Sequence, residues 1–146
     1  MNDYQNVEIL LVEDSDADAE MTLRTLKRRG IANDIVWVKD GVEAMEFLFC
    51  EGQYAQRRNG HPKLVLLDLK MPRMDGLRVL EKMKQDERTR AIPVVMMTSS
   101  QEEGDLLSSY RLGVNSYIVK PVDFTEFAET VGQVGMYWMI ANHAPS

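Results

Sequence analysis

Leu64-Val65-Leu66-Leu67-Asp68 constrains this chain more than any other stretch: four aliphatic residues run without a break into one aspartate. A short apolar run bounded by turn signals reads as a strand buried on both faces, as inside a parallel sheet covered by helices on either side. Ile92-Pro93-Val94-Val95-Met96-Met97 has the same character, and Val7–Val12, Asp34–Val38 and Ser116–Val119 complete a set of five strands. Helix signals fall between them. Alternation of strand and helix forces parallel strands joined by right-handed crossovers, so the fold class is α/β.

The helix starts are legible from capping chemistry. Ser15-Asp16-Ala17-Asp18 pairs a capping serine with an acid three residues on, before a helix whose face carries Ala19, Leu23 and Leu26 and which ends at Arg28-Arg29-Gly30. Asp40-Gly41-Val42-Glu43 opens a second helix with Ala44 and Leu48 at helical spacing, and Cys50 reads as a small core residue of that apolar stretch. Residues 51–63 read as a polar loop, with Arg57, Arg58, His61 and Lys63 as a solvated basic cluster. Gly76-Leu77 starts a third helix, with Leu77, Leu80 and Lys84 in register. Ser100-Gln101-Glu102-Glu103 caps a fourth, running to about Gly113. Asp123-Phe124-Thr125-Glu126 caps the last, with Phe124, Phe127, Ala128, Val131, Val134 and Trp138 on one stripe. Nothing in the composition marks a second domain. The expectation is one unit over residues 1–146, with a core over about 7–140 and frayed ends at 1–6 and 142–146.

Charge and composition exclude several classes. A net charge of -6 argues against nucleic-acid binding, which needs a basic face. One cysteine permits no internal disulfide and suits a reducing compartment. No apolar run approaches the ~20 residues of a membrane span, and the polar start is not a signal peptide, so the expected location is the cytoplasm, away from membranes.

In a parallel sheet the carboxyl ends of the strands open on one rim, where α/β folds build their sites. The residues there are Glu13 and Asp14, Asp68, Thr98 and Lys120. Each has a plainer reading alone: a turn cap for Asp68, a helix-terminus acid for Glu13 or Asp14, a cap for Thr98, a solvated lysine for Lys120. Together they make three carboxylates that repel one another unless a cation joins them. Oxygen-only ligation with open positions suits Mg²⁺. A hydroxyl and an ammonium beside it suit the oxygens of a phosphoryl group, and a carboxylate can be the nucleophile that accepts one.

With those motifs in order, the chain resembles the receiver domain of two-component response regulators: Glu13-Asp14, Asp68 with Met71-Pro72 and Asp75-Gly76, Thr98-Ser99, and Lys120-Pro121, over residues 7 to about 135. The resemblance implies a flavodoxin-like (βα)5 doubly wound sheet of order 2-1-3-4-5. It implies that Asp68 is the phosphoacceptor, and that Asp14, Asp68 and the backbone carbonyl of Lys70 ligate Mg²⁺, with Glu13 holding a metal-bound water. Thr98 then hydrogen-bonds the phosphoryl group, Lys120 pairs with it, and Tyr117 with Thr98 relays the change to the face formed by the fourth helix, fifth strand and fifth helix. The Lys120–Pro121 peptide is implied to be cis. Such a protein is a signalling switch rather than an enzyme, assisting only its own phosphotransfer and autodephosphorylation. Lys70 and Ser100 stand where side chains tune access of the hydrolytic water, and the Lys70 cation is placed to lean on the phosphoryl group.

The loop at 51–63, Tyr117 to Asp123 and the segment Met136-Tyr137-Trp138-Met139-Ile140 are similar to the single-domain regulators that partner phytochrome-type histidine kinases. The implied partners are a sensor histidine kinase and a downstream protein. The apolar end of the last helix must be buried, on its own domain or in a homodimer through the C-terminal helix face, of which the dimer is favoured. Two other classes compete. A haloacid-dehalogenase-type phosphatase wants a second Asp two residues after the nucleophile, where this chain has Lys70. A flavin carrier wants a glycine-containing phosphate turn after the first strand, where this chain has Glu13-Asp14-Ser15-Asp16.

Overall fold

A computed structural model describes residues 9–28, 35–57, 61–71, 73–101, 103 and 116–133. In chain order the elements are β1 (Ile9–Val12), α1 (Asp16–Arg28), β2 (Ile35–Val38), α2 (Gly41–Leu48), β3 (Leu64–Asp68), α3 (Gly76–Gln85), β4 (Val94–Thr98), β5 (Ser116–Val119) and α4 (Phe124–Gln133). All strand pairs are parallel, in the order β2-β1-β3-β4-β5. This is the flavodoxin-like doubly wound arrangement, with four helices among the described residues. The helix expected over residues 100–113 falls outside them except at Ser100, Gln101 and Glu103, as do the frayed ends and the apolar extension at 136–140.

β1, β3 and β4 are buried at every position, which is why their sequences show no alternation. The alternation exists in space. Leu10, Val12, Val65, Leu67, Val94 and Met96 pack against α2 and α3, while Ile9, Leu11, Leu64, Leu66, Val95, Met97 and Ile118 pack against α1 and α4 through Ala19, Leu26 and Phe127. Burying a Leu or Phe side chain fully contributes about 1.5–3 kcal/mol.

The expected caps form. Ser15 Oγ accepts from the Asp18 N–H at 3.2 Å, Asp40 Oδ1 from Glu43 at 2.8 Å, and Asp123 Oδ1 from Thr125 at 2.6 Å. Asp75 caps α3 by accepting from Arg78 at 3.0 Å. Two glycines permit close packing at the β3–α3 turn. A Cβ on Gly41 would lie 2.2 Å from the Met74 carbonyl oxygen, and one on Gly76 would lie 2.3 Å from that of Asp68. Arg73, at φ +66°, is anchored by Asp40 Oδ2 at 2.7 Å, so the cap of α2 also ties down the loop that follows Asp68.

Three expectations are corrected. Arg57 is not solvated: it is buried, with Nε donating to the Phe47 carbonyl at 2.8 Å and its guanidinium 4.3 Å from the Phe47 ring centre. The Phe47 carbonyl at the end of α2 accepts a long bond from the Cys50 N–H at 3.4 Å, and a flat cation adds a stronger partner while stacking on the ring. The polar loop therefore has an inward side, which includes buried Tyr54 in a 3-10 turn at Gly52–Tyr54. Cys50 is not in the helical core: it follows the helix at φ +55°, half-buried. The buried face of α3 is Gly76, Val79, Leu80 and Met83, and Lys84 lies beside it, donating to the Arg90 carbonyl.

Candidate functional site

The sheet register brings the rim together. Val12 pairs with Leu67, so Glu13 and Asp68 are neighbours one step further along β1 and β3. Asp68 pairs with Met97, and Met97 with Ile118. Glu13 and Asp68 continue the alternation of Ile9-Leu11 and Leu64-Leu66, on the α1/α4 side of the sheet, and Lys120 stands two residues beyond Ile118. Thr98 stands two residues after Met96, on the α2/α3 side with Tyr117. The site residues thus divide between the two sides of the sheet edge.

Ligand oxygens of Glu13, Asp14 and Asp68 all lie within 4.8 Å of one another. Glu13 is fully buried, Asp68 almost so, and Asp14 exposed. Burial pushes the Asp68 carboxyl up to about 8, helped by a hydrogen bond to Glu13 and by its negative charge, against the pull of Lys120. Without a metal, Asp68 therefore keeps its proton at neutral pH, and a hard divalent cation, which favours the ionised carboxylate, fits that oxygen donor set.

Lys120 Nζ sits 3.1 Å from Glu13 Oε1, 3.1 Å from Asp18 Oδ2 and 3.3 Å from Asp68 Oδ1. Burial lowers its affinity for a proton, but the bond to Asp18 and the charges of Asp68 and Glu13 outweigh this and hold its pKa above the ordinary value. The Lys120–Pro121 peptide is cis. The Glu13 end of β1 is fixed from both sides, because Ser15 N–H donates to Glu13 Oε2 at 3.1 Å and Trp37 Nε1–H to the Glu13 carbonyl at 2.8 Å.

Around this centre the other residues have partners of their own. The Thr98 hydroxyl donates to the Ser100 carbonyl at 3.1 Å, and the Tyr117 hydroxyl accepts from the Gln101 amide. Lys70, placed by the sequence to lean on a phosphoryl group, instead reaches Glu103 at 2.8 Å. Glu103 also accepts from Ser99 N–H at 3.0 Å and from its hydroxyl at 3.1 Å. Lys70 therefore spans the mouth between the loops after β3 and β4. Asp18 was missed as a site residue. Its signal was present, since an acid in the first turn of α1 faces the rim, but capping chemistry explained it without Lys120.

Among known families, the response regulator receiver domain model matches residues 9–132. The probable methanogenesis regulatory protein FilR2 of Methanothrix harundinacea is 41% identical over 138 residues, covering 94% of this chain and 86% of that protein. The structure of the bacteriophytochrome response regulator AtBRR is 47% identical with a TM-score of 0.88, covering 94% of this chain and 99% of that one. Rcp1 of Synechocystis sp. is 38% identical over 131 residues, covering 90% of this chain and 88% of that protein. The crystal structure of its Mn²⁺-bound form has 36% identity and a TM-score of 0.72, covering 96% of this chain and 99% of that one.

Proposed function

The chain belongs to the response regulator receiver family, and on that premise we propose that Asp68 accepts a phosphoryl group from a histidine kinase, with Mg²⁺, and thereby switches protein–protein contacts. The observation that carries this reading is the convergence of Lys120 Nζ on Asp68 Oδ1 and Glu13 Oε1 within an acidic cluster at the carboxyl edge of the sheet.

Asp14 and Asp68, the Lys70 carbonyl and, through water, Glu13 would hold the cation. When bound, Mg²⁺ would supply charge neutralisation for the transferring phosphoryl oxygens and for the ionised Asp68. An Asp68 oxygen then forms the new O–P bond as the donor's P–N bond breaks, and the leaving imidazole nitrogen keeps the electron pair. Lys120 pairs with the added charge. The Thr98 hydroxyl exchanges the Ser100 carbonyl for a phosphoryl oxygen, a swap that costs no hydrogen bond. Because Tyr117 shares the Thr98 side of the sheet, movement of the β4 end changes the packing available to its ring and its contact with Gln101. The chain thus acts as a single receiver unit and a phosphorylation switch, whose only chemistry is its own phosphotransfer and dephosphorylation. The description of AtBRR as a bacteriophytochrome response regulator supports a phytochrome-type kinase as donor, and the downstream partner and a homodimer belong to the same proposal.

Intact-mass measurement after incubation with Mg²⁺ and acetyl phosphate tests the assignment. Wild type should gain one phosphoryl mass that Asp68→Asn lacks. An equal adduct on both, or none on either with any donor, would remove Asp68 from the role.

A further inference from the structure

We propose that Asp18 is a positioning residue: it receives the Lys120 ammonium when a divalent cation takes Glu13 and Asp68. The inference rests on the reading of the acidic cluster as a Mg²⁺ site, and it assigns a task to a carboxylate outside that cluster.

Lys120 has three N–H donors, and three carboxylates, those of Glu13, Asp18 and Asp68, surround its Nζ at 3.1–3.3 Å. Two of those carboxylates belong to the cluster whose oxygens lie within 4.8 Å of one another, and Asp18 does not. A divalent cation entering the cluster competes with the ammonium for lone pairs on Glu13 and Asp68 and repels it directly. Asp18 is the partner the cation does not need. It anchors the ammonium on the α1 side, within reach of any group attached to Asp68.

A second observation separates Asp18 from ordinary helix capping. In a capping box the acid at the third helical position accepts from the backbone N–H of the capping residue. Here Glu13 Oε2 takes the Ser15 N–H, at 3.1 Å, and the Asp18 carboxylate goes to Lys120, 102 positions away in the chain. The backbone N–H of Asp18 remains capped by Ser15 Oγ, so the side chain is directed to the site without costing the helix its start. Without Asp18, Lys120 would have only the two carboxylates the cation requires, and would compete with it more strongly.

Isothermal titration of Mg²⁺ alone into the full chain tests this, using wild type, Asp18→Asn, Asp18→Glu, Lys120→Gln and the Asp18→Asn/Lys120→Gln double variant. The expected result is Mg²⁺ binding about two- to fivefold weaker in Asp18→Asn, the range of a part-exposed ion pair. Asp18→Glu should restore the affinity, and Asp18→Asn should have no further effect once Lys120 is Gln. Unchanged affinity in Asp18→Asn overturns the proposal. So does equal weakening in the Lys120→Gln background, because Asp18 would then act by its own field. A wild type that binds no Mg²⁺ overturns the cation reading as well, whereas binding that is indifferent to Asp18 overturns this inference alone. Should Lys120→Gln fail to fold, the ammonium ¹H–¹⁵N signal of Lys120 decides. In Mg²⁺ it should be protected from exchange in wild type and lost in Asp18→Asn, and equal protection in both sinks the idea.

Discussion

Replacing Gly76 by Ala perturbs the strand that carries Asp68, the proposed phosphoacceptor, without touching a site side chain. The added Cβ would lie 2.3 Å from the Asp68 carbonyl oxygen, where ordinary contact begins at 3.4 Å, so the two backbones must separate by about 1 Å. Neither party is a flexible tip: one is the first residue of α3 and the other the last of β3. The same separation stretches the Gly76 N–H to Leu69 carbonyl bond, now 2.8 Å, which is worth about 0.5–1.5 kcal/mol. Overpacking adds about 1–3 kcal/mol, and the helix preference of Ala over Gly returns at most about 1 kcal/mol. The net expectation is a loss of about 1–3 kcal/mol, read as a lower urea midpoint at unchanged slope. Displacement of Asp68 and the Lys70 carbonyl should also slow phosphorylation by acetyl phosphate about tenfold or more, since misplacement near 1 Å can cost about a hundredfold. Full stability and a wild-type rate in Gly76→Ala would refute the claim that this close approach positions Asp68.

Arg57→Met should cost about 2–4 kcal/mol in urea unfolding, since it removes charged hydrogen bonds to two α2 carbonyls and a ring contact. Arg57→Lys should not rescue it, because one ammonium cannot both stack on Phe47 and reach both carbonyls, and full rescue would count against the buried fork. Asp68→Asn should raise thermal stability in EDTA at pH 8 by about 1–3 kcal/mol. The sign follows from a folded carboxyl that titrates near 8 against an ordinary 3.8. Between those values the folded state keeps a proton the unfolded chain gives up, so metal-free stability falls as pH rises from about 4 to 8. Mg²⁺ should narrow the gap between variant and wild type. An Asp68→Asn protein melting below wild type in EDTA at pH 8 would contradict this.

How much could be read beforehand varied with the range of the interaction. Ser15, Asp40, Asp123 and Ser100 were legible as caps because a cap involves residues two or three positions apart, whatever the rest of the chain does. Arg57 was not legible. A polar, basic loop reads as solvated until a Phe ring and two helix-end carbonyls face it, and these come from another element. The ion pair of Lys70 was not legible for a similar reason: Glu103 reaches it across the gap between two loops.

The sequence alone determined that Glu13, Asp14, Asp68, Thr98 and Lys120 end up at one edge. Unbroken apolar strands alternating with capped helices allow only a covered parallel sheet, and its strand ends share a rim. It could not say which rim residues share a side. In a strand buried on both faces every position is apolar, so the period of two that assigns faces leaves no trace in composition. Register in the folded sheet decided that Glu13, Asp68 and Lys120 meet on the α1 side and Thr98 and Tyr117 on the other. The placement of α1 against that sheet then decided that Asp18, an ordinary first-turn acid by sequence, holds the lysine at the centre of the site.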